Sequence, residues 1–151
     1  MLKQGHIGGA LILFFIIIIP ASFILNISKG SVLLGMIIAA IVAPLLDYDM
    51  LIPEDFHRSF YTHSLLTVAV LTIACLILTS FIYPYTWIFT LAVFSATLSH
   101  VLLDSLTIMG VPLYGPWNMD MVGLKLFKSS DGMVNYILII IGVVLAGIYF
   151  L

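Results

Sequence analysis

Five apolar runs separated by short polar gaps leave this chain little choice of fold. Residues 7–27, 31–46, 64–83, 85–108 and 133–151 are each near the ~20 residues a helix needs to cross a hydrocarbon core, with 31–46 slightly short. Backbone polar groups in lipid must be satisfied within the segment, so such runs are helices. A β-barrel would need alternation, and Ile16-Ile17-Ile18-Ile19 shows none. The chain is 63% hydrophobic and 8% charged, with mean hydropathy +1.27. A soluble domain is only about half apolar. The expectation is an all-α polytopic membrane protein of about five transmembrane helices in a compact bundle. Residues 1–151 form one domain.

The first run raises the question of a signal peptide, since Lys3 precedes an apolar stretch. No small-x-small cleavage site closes the run and it is long for a removed signal, so a retained helix is expected. Five crossings put Lys3, Arg58, Lys125 and Lys128 on one side and Lys29 on the other. The positive-inside rule makes the four-residue side cytoplasmic, with the N-terminus inside and the C-terminus outside. No basic stripe points to nucleic acid. The single Cys75 lies within the third run and forms no intrachain disulfide.

All seven carboxylates and all four histidines fall on that same cytoplasmic side. Ionisable groups close to a bilayer are costly, which makes their gathering a sign of chemistry. His100 and Asp104 form an i, i+4 pair on one helical face, suited to a shared cation or to a buried hydrogen bond. Asp47 and Asp49 end the second run, where carboxylates oppose the helix dipole. They are ligand candidates or solvated loop acids. His57 and Arg58 precede Thr62-His63-Ser64, where Thr62 or Ser64 can cap the third helix. Arg58 suits a phosphate, or lipid headgroups nonspecifically. His6 opens the first run as either a ligand or a solvated terminal side chain. Gly5, Gly8 and Gly9 favour close helix packing there. Pro112, Gly115 and Pro116 argue against a helix between 110 and 131. Trp117 and Leu124-Lys125-Leu126-Phe127-Lys128 fit a loop partly embedded at the interface and covering the site.

Several motifs occur in order along the chain. They are Gln4-Gly5-His6, Leu45-Leu46-Asp47-Tyr48-Asp49, His57-Arg58 with Thr62-His63-Ser64-Leu65, and Leu98-Ser99-His100 with Asp104. Gly110-Val111-Pro112-Leu113 and Pro116 follow. This series resembles the YdjM-like family of membrane-bound metal-dependent hydrolases over roughly residues 4–117. Met50 stands where the family's D-x-D-H motif has its histidine. A more distant similarity is to zinc-dependent phospholipase C and the S1/P1 nucleases. It implies Asp49, His63, His100 and Asp104 as ligands, with Asp104 as a bridge and His6 near the N-terminal ligands. The later His and Glu ligands of those enzymes have no counterpart, so one or two cations are expected rather than three.

Mixed imidazole and carboxylate donors suit zinc, with manganese or iron as alternatives. The expected activity is metal-dependent hydrolysis of a phospholipid or other lipid phosphate at the inner membrane's cytoplasmic face. Asp47 or Asp49 would orient or deprotonate water, and Arg58 would neutralise the phosphoester, with His57 beside them. The partners are then membrane lipids and a lipid-phosphate substrate. The rival classes are an ion or proton transporter and a noncatalytic module stabilised by its metal. Transporters place polar groups at the membrane midplane, where these runs are almost purely apolar.

Overall fold

The computed structural model describes residues 1–47, 58–82 and 85–151. The helices are α1 (Lys3–Ser22), α2 (Lys29–Leu45), α3 (Phe60–His63), α4 (Leu65–Thr79), α5 (Thr86–Ser105) and α6 (Gly132–Phe150), with a 3-10 turn at Ser80–Ile82 after α4. The fold is an all-α membrane bundle. α1, α4 with its 3-10 extension, α5 and α6 are long and apolar enough to cross a membrane, and α2 is a shorter apolar helix of 17 residues. At 1.5 Å per residue, α2 reaches about 26 Å.

The ends of the helices follow local chemistry. α1 starts at Lys3 rather than at 7, because a helix does not need apolar residues to extend into its first turn. It stops at Ser22, soon after Pro20 removes a donor from the backbone ladder. Ser28, Ser64 and Asp131 cap α2, α4 and α6 by accepting the N–H three residues ahead. α5 ends at Ser105 rather than 108, because Ile108 donates its N–H to the Phe127 carbonyl at 3.0 Å instead of continuing the helix.

α1 and α5 are the inner helices. α1 packs against α2, α5 and α6, while α5 packs against α1, α2 and α4. The core between them is Phe14, Phe15, Ile18, Ile88, Ala92 and Ala96, joined by Val32 and Ala39 of α2. α4 buries only Thr67 and Val68, and α6 only Asn135 and Gly142. Their remaining surfaces are apolar, as lipid-facing helices require. α1 and α6 cross at small residues. A Cβ on Gly8 would meet the backbone of Leu138 and Ile139, and one on Gly142 would meet Leu11 and Gly8.

Residues 106–131 form a folded-back loop. Leu124 and Leu126 donate their N–H groups to the carbonyls of Ser105 and Leu106, and Val111 exchanges both bonds with Val122. Gly110 holds φ +71°, a left-handed conformation that glycine adopts without a Cβ clash. Val111 is buried with Val68 and Val101, and Leu65 donates its N–H to the Leu113 carbonyl at 3.0 Å. The loop's base is thereby fixed against α4 and α5, while Trp117, Met119, Met121, Leu124 and Leu126 stay exposed.

Candidate metal centre

One end of the bundle gathers the ionisable side chains. His6 comes from the first turns of α1 and Asp47 from just beyond α2. His63 ends α3, and His100 and Asp104 lie in the last turns of α5. Antiparallel helices bring these five sequence positions to one level. His6, His63, His100 and Asp104 are fully buried, and the Asp47 side chain is 14% exposed. Donor atoms of His6, Asp47, His100 and Asp104 all lie within 4.8 Å of one another.

A break in the chain aims His63. Ser64 adopts an extended conformation between α3 and α4, and its hydroxyl caps α4 through the Thr67 N–H at 3.2 Å. Of the two cap candidates, Ser64 does the capping. Thr62 instead places its hydroxyl 2.7 Å from His63 Nδ1 while donating to the Ser59 carbonyl at 3.3 Å. With its own hydrogen so placed, that hydroxyl accepts from Nδ1–H, and Nε2 is the nitrogen that faces the cluster. His100 Nδ1 lies 2.8 Å from the Ala43 carbonyl. Ala43 belongs to the last turn of α2, whose carbonyls lack helical partners, so it accepts from Nδ1–H. The hydrogen-bond network thus assigns both imidazoles the same tautomer, with Nε2 as the donor to a metal.

These two Nε2 atoms face each other at 3.0 Å. At that distance one nitrogen donates a proton to the other, or, when both Nδ1 atoms carry the protons, a cation between them relieves the repulsion of two lone pairs. The Asp104 Oδ2 atom is 3.2 Å from His63 Nε2 and 3.7 Å from His100 Nε2, yet it is buried with no hydrogen-bond partner among the described residues. A buried carboxylate oxygen left in that state is costly. On the other side, the Met1 ammonium lies 2.6 Å from Asp104 Oδ1 and 2.8 Å from His6 Nε2, so the cluster already seats one cationic group. Three imidazoles and two carboxylates, with a buried carboxylate oxygen that lacks a hydrogen bond, fit a divalent metal of the zinc, manganese or iron kind.

Arg58 sits at the cluster's rim. Its Nη1 donates to Thr107 Oγ1 at 3.1 Å and to the Gly110 carbonyl at 2.8 Å, while Nη2 lies 3.6 Å from Asp104 Oδ1. The residue is buried and holds φ 56°, a left-handed conformation unusual for a side chain with a Cβ. Such strain persists where the surroundings over-determine it, and functional sites are common examples.

A family model described as YdjM inner membrane protein matches residues 1–150. The chain belongs to this family. No curated protein and no solved structure matches, so the more distant similarity to phospholipase C and the nucleases is not shown. Within this YdjM-family chain the structure brings together His6, Asp47, His63, His100 and Asp104, with Arg58 beside them. Asp49 and His57, expected as ligand and catalytic group, lie outside the described residues.

Three contributors escaped the sequence reading. Thr62 acts on His63 rather than on the helix cap. Thr107 accepts from Arg58 and donates to the Asp104 carbonyl at 2.8 Å. Asn135 is buried in α6, accepts the Leu2 N–H at 3.1 Å, and donates to the Asp131 and Ser129 carbonyls. It ties the start of α1, where His6 lies, to the start of α6. A lone asparagine in an apolar run was the available signal for Asn135. No local pattern marked Thr107.

Proposed function

We propose that this protein is a metal-dependent hydrolase acting on the phosphoester of a membrane lipid at the cytoplasmic face of the inner membrane. The observation that carries the reading is the facing pair of His63 and His100 Nε2 atoms beside the unpartnered Asp104 oxygen, all buried at the end of an apolar bundle. His6, Asp47, His63, His100 and Asp104 would hold the metal. When bound, such a cation lowers the pKa of water toward neutrality and polarises a phosphoryl oxygen.

The chain's own side chains supply the rest. Thr62 and the Ala43 carbonyl fix two imidazoles before substrate arrives, which removes reorganisation from the reaction. Asp47, the partly exposed member of the cluster, marks the side from which water and substrate enter. Arg58, held by Thr107 and Gly110, offsets phosphoryl charge with a guanidinium whose position is already set. Asp49 and His57 follow Asp47 in sequence and are assigned to proton transfer. In the reaction the water oxygen bonds to phosphorus as the bond to the leaving oxygen breaks. The proton lost by water ends on that leaving oxygen.

A lipid substrate is favoured by the surroundings. An apolar groove of about 360 Å³ is lined by Leu46, Phe60, Thr62, Leu66 and Val70. Leu46 and Thr62 adjoin Asp47 and His63, so an acyl chain in the groove would have its headgroup near the cluster. The exposed Trp117, Leu124 and Leu126, with Lys125 and Lys128, suit a loop seated among headgroups. The transporter reading is disfavoured because the cluster lies at a bundle end and the middle of α1 is Phe14, Phe15 and Ile18.

The test is purified protein reloaded with zinc or manganese and incubated with a total membrane lipid extract. Loss of one phosphate-containing lipid class, with the matching product, is expected from the wild-type protein and not from Asp104→Asn. Unchanged lipid profiles with both metals would contradict the proposal.

A further inference from the structure

Two helices that share a neighbour leave a valley beside the cluster. α2 and α4 each pack along α5 but hardly touch one another. The valley between them is the apolar groove of about 360 Å³, walled by Leu46 at the end of α2 and by Leu66, Val70 and Leu71 of α4. Leu66 and Val70 are four residues apart, so they stand one above the other on a single helical face. The α4 wall opens on lipid, since Val70 is 54% exposed and only Thr67 and Val68 of that helix are buried.

At its other end the groove runs into the cluster. Phe60 and Thr62 of α3 stand there. Thr67 Oγ1 donates to the Phe60 carbonyl at 2.8 Å, and Phe60 packs against Gly115, where any Cβ would overlap its side chain. That end of the groove is therefore held in place from two sides. Thr62 lines the groove and also sets its hydroxyl 2.7 Å from His63 Nδ1. Leu46 lines it and precedes Asp47, whose Oδ1 lies 3.6 Å from His100 Nε2. A second groove of about 380 Å³ lies between α1, α2 and α6, with Met36, Ile37, Ile41 and Val143 among its walls. Every side chain lining that one is apolar, so it has size without a polar end.

We propose that the valley between α2 and α4 is the acyl-chain subsite, through which a lipid reaches the cluster sideways from the bilayer, with one chain along Leu66 and Val70 and its phosphate at Thr62 and Asp47. This rests on the lipid-phosphate reading above and specifies how the substrate is held and by which residues it is selected. The occupant follows from the two ends of the groove. One end is continuous with the lipid-facing surface of α4, and the other meets the polar cluster, which is the order of chain and headgroup in a lipid of that leaflet. Each methylene buried in the groove adds to binding. A water-soluble phosphoester with the same headgroup leaves the groove empty and forgoes that contribution. Val70 is the residue whose size sets how much chain the groove takes.

Photo-crosslinking locates the chain without any assay of turnover. The probe is a diacyl phosphonate, which has no phosphoester to cleave, with a diazirine midway along one acyl chain. Full-length protein in detergent receives an equimolar amount, so that detergent rather than probe covers the rest of the apolar surface. After illumination, peptide mapping is expected to find the crosslinks concentrated in residues 60–71 and sparse in 36–41 and 143–146. Val70→Trp fills the groove from a lipid-facing position, where the larger side chain leaves the core untouched. It should lower the crosslinks at 60–71 by roughly tenfold, the equivalent of about two buried methylenes, with metal content unchanged. Ile41→Trp, in the second groove, should leave them as in the wild type. Crosslinks spread evenly over both grooves and the outer faces of α4 and α6 would overturn the subsite, as would a Val70→Trp protein that keeps the wild-type pattern. Either result leaves the lipid-phosphate reading standing if the wild type still consumes a lipid phosphate. Crosslinks confined to the groove in a protein that hydrolyses no lipid uphold the groove as a lipid site and overturn the hydrolase reading instead.

Discussion

The orientation of His63 and His100 toward the cluster is set by groups outside it. One imidazole leans on the Thr62 hydroxyl and the other on the Ala43 carbonyl. Losing such a support usually weakens metal affinity 10–100-fold. Thr62→Val keeps the shape and removes the acceptor, so a competition titration should show weakening in about that range, with helix content unchanged. Unaltered affinity would mean that the Thr62 contact does not set the tautomer. Asp104→Asn removes negative charge while nearly preserving shape. Metal content and turnover should both fall, turnover by roughly 100-fold or more, if Asp104 is the ligand proposed above. Lys29 donates to the Phe150 carbonyl at the opposite end of the bundle. Lys29→Ala should leave both quantities unchanged, and a loss of metal in that variant would show that the effects are not local.

The helices were largely legible because apolar length in lipid dictates helix, and each expected run is found within a few residues of its observed bounds. What the pattern could not give was the break at Ser64, where one helix becomes a short α3 and a capped α4. That break is set by tertiary bonds, including Leu65 to Leu113, rather than by local propensity. The pairing of elements was partly visible in the glycines of α1. Gly8 meets the α6 backbone, while Gly5 and Gly9 meet the side chains of Asn135 and Leu103. Gly8→Leu would force α1 and α6 apart. Overpacking of this kind costs about 1–3 kcal/mol, read as a lowered unfolding temperature in detergent. A variant as stable as the wild type would place the α1–α6 contact elsewhere.

Across the whole molecule, the bundle and its polar end have separate causes. The apolar surfaces of α4 and α6 need no cation to enter lipid. The core of α1, α2 and α5 is likewise apolar through Phe14, Phe15 and Ile88. Chelation should therefore leave the protein membrane-embedded and mostly helical by circular dichroism. Loss of helicity would favour a metal that only stabilises the fold. The convergence of His6, His63, His100 and Asp104 could be anticipated from their places at helix ends and from the family motifs. Asp47 and Asp49 are both acids at the end of the second run and cannot be ranked from sequence; Asp47 lies in the cluster, and Asp49 lies outside the described residues.

Cations held by these residues are proposed to drive hydrolysis of a lipid phosphate. The decisive experiment follows release of the phosphate-containing product from the susceptible lipid, with protein stripped of metal and then reloaded. The expected result is product release that stops on removal of the cation and returns on reloading with zinc or manganese. Release that continues at full rate in protein shown by elemental analysis to be metal-free would contradict the account.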